Sequence, residues 1–266
     1  MTTKTIVIVA AIAALAAGVA GPLPALAQGL MSGLDMSSPR MTKAEMTRAE
    51  VSALIAKATK AKPVDLSHKS LNGLDLAGLD FAGANFTGAA VNGTSFAGAN
   101  FKGAKLDQLW GLKADFSDAD LAAASLFQAQ LKGAIFAGAD LSKTRLAADL
   151  TGANLVDANL KGADLSADMR NQSMGMMRGV LNSANLTGAN LAGANLSRAA
   201  AEFANFSGAN LTGADLQRAE IAGANFAGAT ISGADFAKAD LRSVQWGGVI
   251  GSAKNLDASG KAKASQ

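Results

Sequence analysis

Residues 184–193 read ANLTG-ANLAG, and this five-residue phrase recurs along most of the chain. If its large apolar residue is called position i, that position recurs every five residues with few exceptions. It does so from Leu71 to Leu146, from Leu150 to Leu165 and from Leu181 to Leu241. A period of five fits neither an α-helix nor a β-strand. Such fixed self-similarity is typical of repeat architectures, whose units bury their apolar sides only against neighbouring units.

Two further positions of the repeat predict its local shape. Position i−2 is nearly always Ala, as in Ala84 and Ala99, which gives each unit one large and one small inward side chain. Position i+2 is often Gly, as in Gly83 and Gly98, and Gly accepts a positive φ without steric cost. Each unit is therefore predicted to be a short extended piece followed by a bend.

These motifs resemble those of the pentapeptide-repeat proteins, and the resemblance covers about residues 66–256. Together with the N-terminal signal described below, it indicates an exported bacterial member of that family. The implied fold is an all-β solenoid, a right-handed quadrilateral parallel β-helix with four pentads per coil and side chains stacked in columns. We expect Phe96, Phe116 and Phe136 in one such column, and Phe206, Phe226 and Trp246 in another.

The first residues have the pattern of a secretory signal peptide. Lys4 precedes an apolar stretch from Ile6 to Gly21, and Ala25-Leu26-Ala27 is a small-x-small cleavage site. We therefore expect a periplasmic or secreted protein with no membrane span after cleavage. The predicted plan is a signal peptide at 1–27, an N-terminal segment at 28–65, the repeats at 66–256 with interruptions near 109–113 and 166–180, and a disordered tail at 257–266.

A short amphipathic helix is predicted at about residues 47–61, just before the repeats. Thr47 and Glu50 form a capping-box pattern, and Pro63 follows the end of the helix. An apolar stripe, which consists of Val51, Leu54, Ile55 and Ala58, repeats at helical spacing. We expect this helix to cover the open strand edge of the first coil. A partner-binding helix is the alternative.

The predicted interruption near 109–113 supplies the first candidate partner-binding residues, Trp110 and Leu112. Gly111 stands where position i should be, and Leu109 stands where Ala is usual. One interpretation is a bulge with Trp110 folded back over a gap, and the other is an exposed apolar contact. At the opposite end of the repeats, Trp246 begins a stretch that departs from the motif and is expected to plug the last coil.

The segment 166–180 is the least repeat-like part of the predicted solenoid. The step from Leu146 to Leu150 is one residue short, and Leu165 to Leu181 spans sixteen residues, one more than three pentads. Irregular loops on rigid scaffolds often carry function, and Met suits adaptable binding surfaces. The alternative is that some of these Met fill the core, since Met176 is in frame with Leu181. The candidate partner-binding residues here are Met169, Arg170, Met174, Met176, Met177 and Arg178.

The composition argues against most kinds of catalysis and against nucleic-acid binding. The chain has no Cys and one His, His68, so no nucleophile–base pair can be built from these types. Residues 66–256 contain 15 basic and 16 acidic residues, so the predicted solenoid is almost neutral. We expect no enzyme activity, no cofactor and no nucleic-acid partner. Thioether clusters can select Cu(I), which leaves a Met-based copper-binding protein as one alternative.

The favoured function is a non-enzymatic exported structural or protein-interaction scaffold. Its expected partner is an unidentified envelope or extracellular protein, and homodimerisation is left open. The resemblance also implies a second alternative, because some pentapeptide-repeat proteins are dimeric DNA mimics that bind type II topoisomerases. Such mimicry needs a strongly acidic surface, which a near-neutral solenoid lacks.

Overall fold

The computed structural model describes residues 35–169 and 177–256. The predicted signal peptide and the predicted tail at 257–266 lie outside these residues, as do Arg170, Met174 and Met176. The described residues belong to one compact unit that starts at Leu34.

The repeats form a right-handed quadrilateral β-helix of roughly nine coils, as predicted. Its strands are single-residue parallel bridges formed by the residue before each position i, for example Asp75 with Ser95 and Ser95 with Asp115. Because most bridges join residues twenty apart, positions i stack in four inward columns. Column 1 runs from Leu66 to Phe236, column 2 from Leu71 to Leu241, column 3 from Leu76 to Trp246 and column 4 from Phe81 to Ile231. The turn after each column is its corner, numbered with that column.

One pentad illustrates how the sequence produces this coil. Phe81 N–H donates to Asn100 O of the next coil at 2.7 Å, and Gly83 N–H donates to Lys102 O at 2.9 Å. Ala84 N–H closes the corner on Phe81 O at 2.9 Å. The corner needs a left-handed residue at position i+2, and Gly83 adopts φ +67° there. The pattern of Ala, large apolar residue and Gly thus encodes one side and one corner of the square.

The two predicted aromatic stacks both lie in column 3, so the prediction of two separate columns was wrong. Phe96, Phe116 and Phe136 stack with ring centroids 5.1 and 5.0 Å apart. Phe226 stacks on Phe206 at 4.8 Å and on Trp246 at 5.0 Å. Between the two stacks, Leu155 and Leu186 continue the same column, because the bridges run from Ile135 through Asn154 and Asn185 to Asn205.

Two register changes at corner 1 explain this continuity. In the fifth coil the corner lacks one residue, and Ala148 N–H closes directly on Leu146 O at 2.9 Å. In the sixth coil, Ala167 N–H still bonds Ser197 O at 3.2 Å, and Gly179 N–H bonds Leu165 O at 2.8 Å. Ala167 therefore occupies position i+2 after Leu165, and Gly179 occupies position i−2 before Leu181. These two positions are consecutive in a regular coil, so residues 168–178 are an insertion at corner 1, which we call the inserted loop, and they contribute no residue to the four columns.

The predicted interruption at 109–113 is absent from the backbone. Trp110 bridges both Ala90 and Gln130 in parallel, and Gly111 N–H donates to Gln130 O at 2.8 Å. The ladder stays regular because the two inward side chains have exchanged sizes. Leu109 is fully buried at position i−2, whereas Gly111 occupies position i.

Two short helices precede the β-helix, α1 at Pro39–Thr42 and α2 at Arg48–Lys57. The predicted capping box of α2 is present, with Thr47 and Glu50 each bonding the other's backbone. The helix ends earlier than predicted, because the chain after Ala58 forms a tight turn in which Thr59 pairs with Lys62.

The helix α2 and the residues before it cover the first coil. Val51 is fully buried in the core, whereas Leu54 of the predicted stripe is 39% exposed. No coil precedes the first coil, so its backbone carbonyls accept hydrogen bonds from the N-terminal segment instead. Arg48 donates to Asp75 O at 2.7 Å and to Ala77 O at 2.9 Å. Glu45 N–H donates to Ser70 O at 2.8 Å.

The last coil is more open than the first. Trp246 does not plug it but occupies its regular place in column 3, where it is partly buried together with Leu241 and Val249. Within residues 177–256, the amides of Leu241 and Trp246 donate no backbone hydrogen bond to a further coil. No helix among the residues that the structure describes is long and apolar enough to cross a membrane.

Candidate functional site

Trp110 and Leu112 lie on the outer side of column 2 in the third coil, and both are half-buried. Trp110 therefore belongs to a regular coil and is not folded back over a bulge. Leu112 N–H donates to Asn92 Oδ1 at 2.9 Å, which fixes this corner against the coil above. Directly above Trp110, Ala90 is fully buried. The segment around α1 docks on this side, since Asn92 Nδ2 donates to Met41 O at 3.0 Å.

The inserted loop leaves corner 1 through a paired stem. Asp168 N–H donates to Met177 O at 2.7 Å, next to the bond between Gly179 and Leu165. Met169 is 46% exposed and Met177 is half-buried. The described part of the loop therefore presents thioether side chains at the surface.

Arg178 is a structural anchor of this stem. Its guanidinium makes two hydrogen bonds to the Glu220 carboxylate, at 2.7 and 2.6 Å, and a third to Arg198 O at 3.1 Å. Only 10% of its side chain is exposed. A bidentate pair of this kind fixes geometry as well as charge. We infer that Arg178 holds the loop stem against the two following coils, which leaves little of it for a partner.

A groove of about 740 Å³ lies beside the stem, on the outer side of column 1. Arg145 spans it, with its guanidinium 5.3 Å from the centre of the Phe127 ring and 2.5 Å from Asp164. Burial would raise the pKa of Asp164, but hydrogen bonds from Ser166 and Arg145 outweigh it, so the pKa lies below its usual value. Arg145, Asp164 and Ser166 therefore satisfy one another within this groove.

The predicted residues form two surface features, not one site. The bridges run from Trp110 through Gln130 and Asp149 to Val180, three steps of roughly 4.8 Å each along the stack. Trp110 and the loop stem are therefore about 14 Å apart along the β-helix. Both lie on the same side of it, next to corner 1.

Sequence reasoning missed two aromatic residues at the surface. Phe203 is 69% exposed at a corner, with φ +58°, and its ring covers Gly223. Phe127 lines the groove described above. The sequence does mark these two residues. Both are large apolar residues at corner positions i+1 or i+2, where most pentads have a small or polar residue.

No group of three His, Cys, Asp or Glu side chains in 35–169 and 177–256 could hold a metal ion. His68 is exposed, and its ring lies over Gly88. Met41 and Met46 pack at the start of the β-helix, far along the chain from Met169 and Met177.

Comparison with known proteins gives the following matches. The family model described as pentapeptide repeats matches eight copies, within residues 64–108, 114–166 and 180–244. A search of curated proteins finds no match. Solved structures that are similar to this chain include the following three. HetL of the cyanobacterium Nostoc sp. strain PCC 7120, described as involved in heterocyst differentiation regulation, is 28% identical, with 82% of this chain and 100% of HetL covered and a TM-score of 0.43.

The other two matches are more partial. QnrB1, described as a plasmid-mediated fluoroquinolone resistance protein, is 22% identical over 70% of this chain and 91% of its own, with a TM-score of 0.38. Rfr23 of the cyanobacterium Cyanothece 51142 is 36% identical over 39% of this chain and 60% of its own, with a TM-score of 0.27.

Proposed function

Because this chain belongs to the pentapeptide-repeat family, we propose that it is an exported, non-enzymatic scaffold that binds another protein of the cell envelope or exterior. The observation that carries the proposal is the inserted loop at corner 1. Eleven residues leave an otherwise regular coil and return to it without disturbing any column. A loop that the fold does not need, held by a buried Arg178, is a place where function is expected.

The export part of the proposal rests on the sequence of residues 1–27. It predicts that the mature protein begins at Gln28 and is found outside the cytoplasm. Cell fractionation with N-terminal sequencing of the recovered protein would test this. Recovery of the uncleaved chain from the cytoplasm would contradict it.

Affinity capture from envelope extracts tests the scaffold function. Deletion of residues 168–178 should restore a regular pentad, Leu165-Ser166-Ala167-Gly179-Val180-Leu181, and leave the columns intact. We expect the wild-type protein to retain a partner that the deletion variant loses. A second variant, in which Gly and Ser replace residues 169–176 at constant length, separates loop sequence from loop length. Capture of no partner by the folded wild type would contradict the proposal.

Two alternatives have less support. A DNA-mimic inhibitor of a type II topoisomerase would need a strongly acidic surface, whereas the chain has a net charge of +3. A Met-based Cu(I) protein would need converging thioethers, whereas Met41 and Met46 pack against the β-helix. We therefore expect no inhibition of DNA supercoiling and no nucleic-acid partner.

We also propose that the last coil is a homodimer interface. Ile250 is 59% exposed there, beside the partly buried Leu241 and Trp246. The start of the β-helix, by contrast, is covered by Val51 and its neighbours. A second copy would offer the same apolar coil and the same unpaired strand edge, which suits a two-fold interface.

A further inference from the structure

Corner 1 differs from the other three corners in the residues that hold the left-handed conformation. At corner 3, for example, most of these residues are Gly, such as Gly78, Gly98 and Gly188. At corner 1, Gly88 is the only such Gly among the described residues. The others are His68, Gln108, Gln128, Arg198, Arg218 and Lys238. A non-Gly residue in the left-handed region costs about 1 kcal/mol of conformational energy, so this corner carries its side chains at the expense of backbone strain.

The last three of these residues form a ladder of cations. Arg198, Arg218 and Lys238 have φ values of +61°, +57° and +59° and follow one another from coil to coil. Arg198 N–H donates to Gln217 O at 2.9 Å and Arg218 N–H to Ala237 O at 2.8 Å, so the three positions stack in register. Their backbones are therefore about 4.8 Å apart.

These cations have no carboxylate partner within the described residues. None of them makes an ion pair there, unlike Arg178 with Glu220. Neighbouring carboxylates serve the corner backbone instead. Asp215 Oδ1 accepts from Gln217 N–H at 2.9 Å, and Asp235 Oδ1 accepts from Ala237 N–H at 3.0 Å. Arg218 and Lys238 are exposed, so their charges are available to a partner.

The loop stem enters the same corner, one coil above Arg198. Arg178 ties the two together, because its guanidinium bonds both Arg198 O and Glu220. Met169 and Met177 flank the hydrogen-bonded stem at this corner, one coil before Arg198, and Met169 is exposed there. We call this surface, from Met169 and Met177 to Lys238, the corner-1 edge.

We propose that the corner-1 edge binds an extended acidic segment of a partner protein, with an apolar residue of that segment placed on the thioethers. This inference rests on the proposed scaffold function and names the chemistry of its partner. A polypeptide is favoured over an anionic polysaccharide because Met side chains contact apolar groups. It is favoured over nucleic acid because only three cations are aligned, with acidic Asp215 and Glu220 beside them.

Fluorescence anisotropy with defined probes tests the proposal. The first probe is a labelled twelve-residue peptide in which two Leu precede a run of Glu. The comparison probes are labelled heparin oligosaccharide and single-stranded oligo-dT of similar length. We expect the wild-type protein to bind the peptide more tightly than either comparison probe, with an affinity that falls as NaCl rises.

Three variants locate the binding site. Arg198→Gln, Arg218→Gln and Lys238→Gln combined should weaken peptide binding about tenfold, since three surface ion pairs worth a factor of about two each are lost. The same three positions changed to Gly should lose binding equally without a fall in Tm, because Gly relieves the left-handed strain. The matched control changes Lys102, Lys143 and Lys161 at corner 4 to Gln and should leave binding unchanged.

Three results would overturn the inference. They are a folded wild-type protein that does not bind the peptide, a corner 4 control that loses as much peptide affinity as the triple Gln variant, and heparin or oligo-dT that binds more tightly than the peptide. A partner captured by the wild type, lost on deletion of 168–178 but kept by the triple Gln variant, would refute this inference alone. Capture of no partner at all would instead refute the scaffold function.

Discussion

At the scale of single residues, Leu109 and Gly111 show how the core tolerates an exchange of sizes. A Cβ built on Gly111 would lie 3.0 Å from Leu131 Cδ2 and 3.4 Å from Val91 Cγ2, so the site is already closely packed. Leu109, two residues earlier, is fully buried where other pentads have Ala. We infer that the Leu109 side chain occupies the volume that a large residue at position i would otherwise fill.

This inference predicts strong coupling between the two positions. Gly111→Leu alone should overpack the coil and lower the free energy of unfolding by about 1–3 kcal/mol. Leu109→Ala alone should leave a cavity and cost about 2–5 kcal/mol. The double variant restores the usual pentad and should be more stable than the sum of the two changes predicts. Urea unfolding of all four proteins measures this coupling. Simple additivity would mean that Leu109 does not fill the missing volume.

At the scale of secondary-structure elements, α2 acts as the cap of the first coil. Val51 enters the core and Arg48 supplies donors to Asp75 O and Ala77 O, which have no preceding coil to bond. The helix thus replaces both the apolar contacts and the hydrogen bonds that a further coil would provide. Terminal units of repeat proteins need such a cap to remain soluble.

A charge placed under this cap should expose the first coil. We predict that Val51→Asp lowers Tm and causes aggregation, because a buried unpaired carboxylate displaces the helix and opens a strand edge. Ala53→Asp adds the same charge at an exposed position of α2 and should behave as wild type. Thermal unfolding followed by light scattering compares the two variants. Equal behaviour would show that α2 is dispensable for the first coil.

The elements also show which features the sequence could predict. The pentad specifies each side and corner locally, so the spacing of Leu, Ala and Gly was sufficient for the extended piece and bend of each unit. The coil of four pentads came from the family resemblance, and the single aromatic column depends on the register changes at corner 1. The capping box at Thr47 was equally local. The docking of Met41 and the Arg178–Glu220 pair was not predictable, because they join residues whose proximity depends on stacking. Counting pentads also could not show whether residues 168–178 extend the coil or leave it.

At the scale of the whole molecule, the two ends of the β-helix are unequal, and this predicts the oligomeric state. The mature protein should be a dimer, and Ile250→Glu should convert it to a monomer by placing a charge in the apolar last coil. Ile135→Glu is the matched control, because Ile135 is exposed in the middle of the stack. Size-exclusion chromatography with light scattering distinguishes the outcomes. A monomeric wild type, or a dimer that Ile250→Glu leaves intact, would refute the interface.

The closed stem of the inserted loop has a further consequence, for engineering. Asp168 and Met177 are joined by a 2.7 Å hydrogen bond, so the residues between them are attached to the β-helix through one hydrogen-bonded pair of residues. The columns on either side are continuous without that segment. Foreign peptides could therefore be grafted between Asp168 and Met177 and displayed from a rigid support.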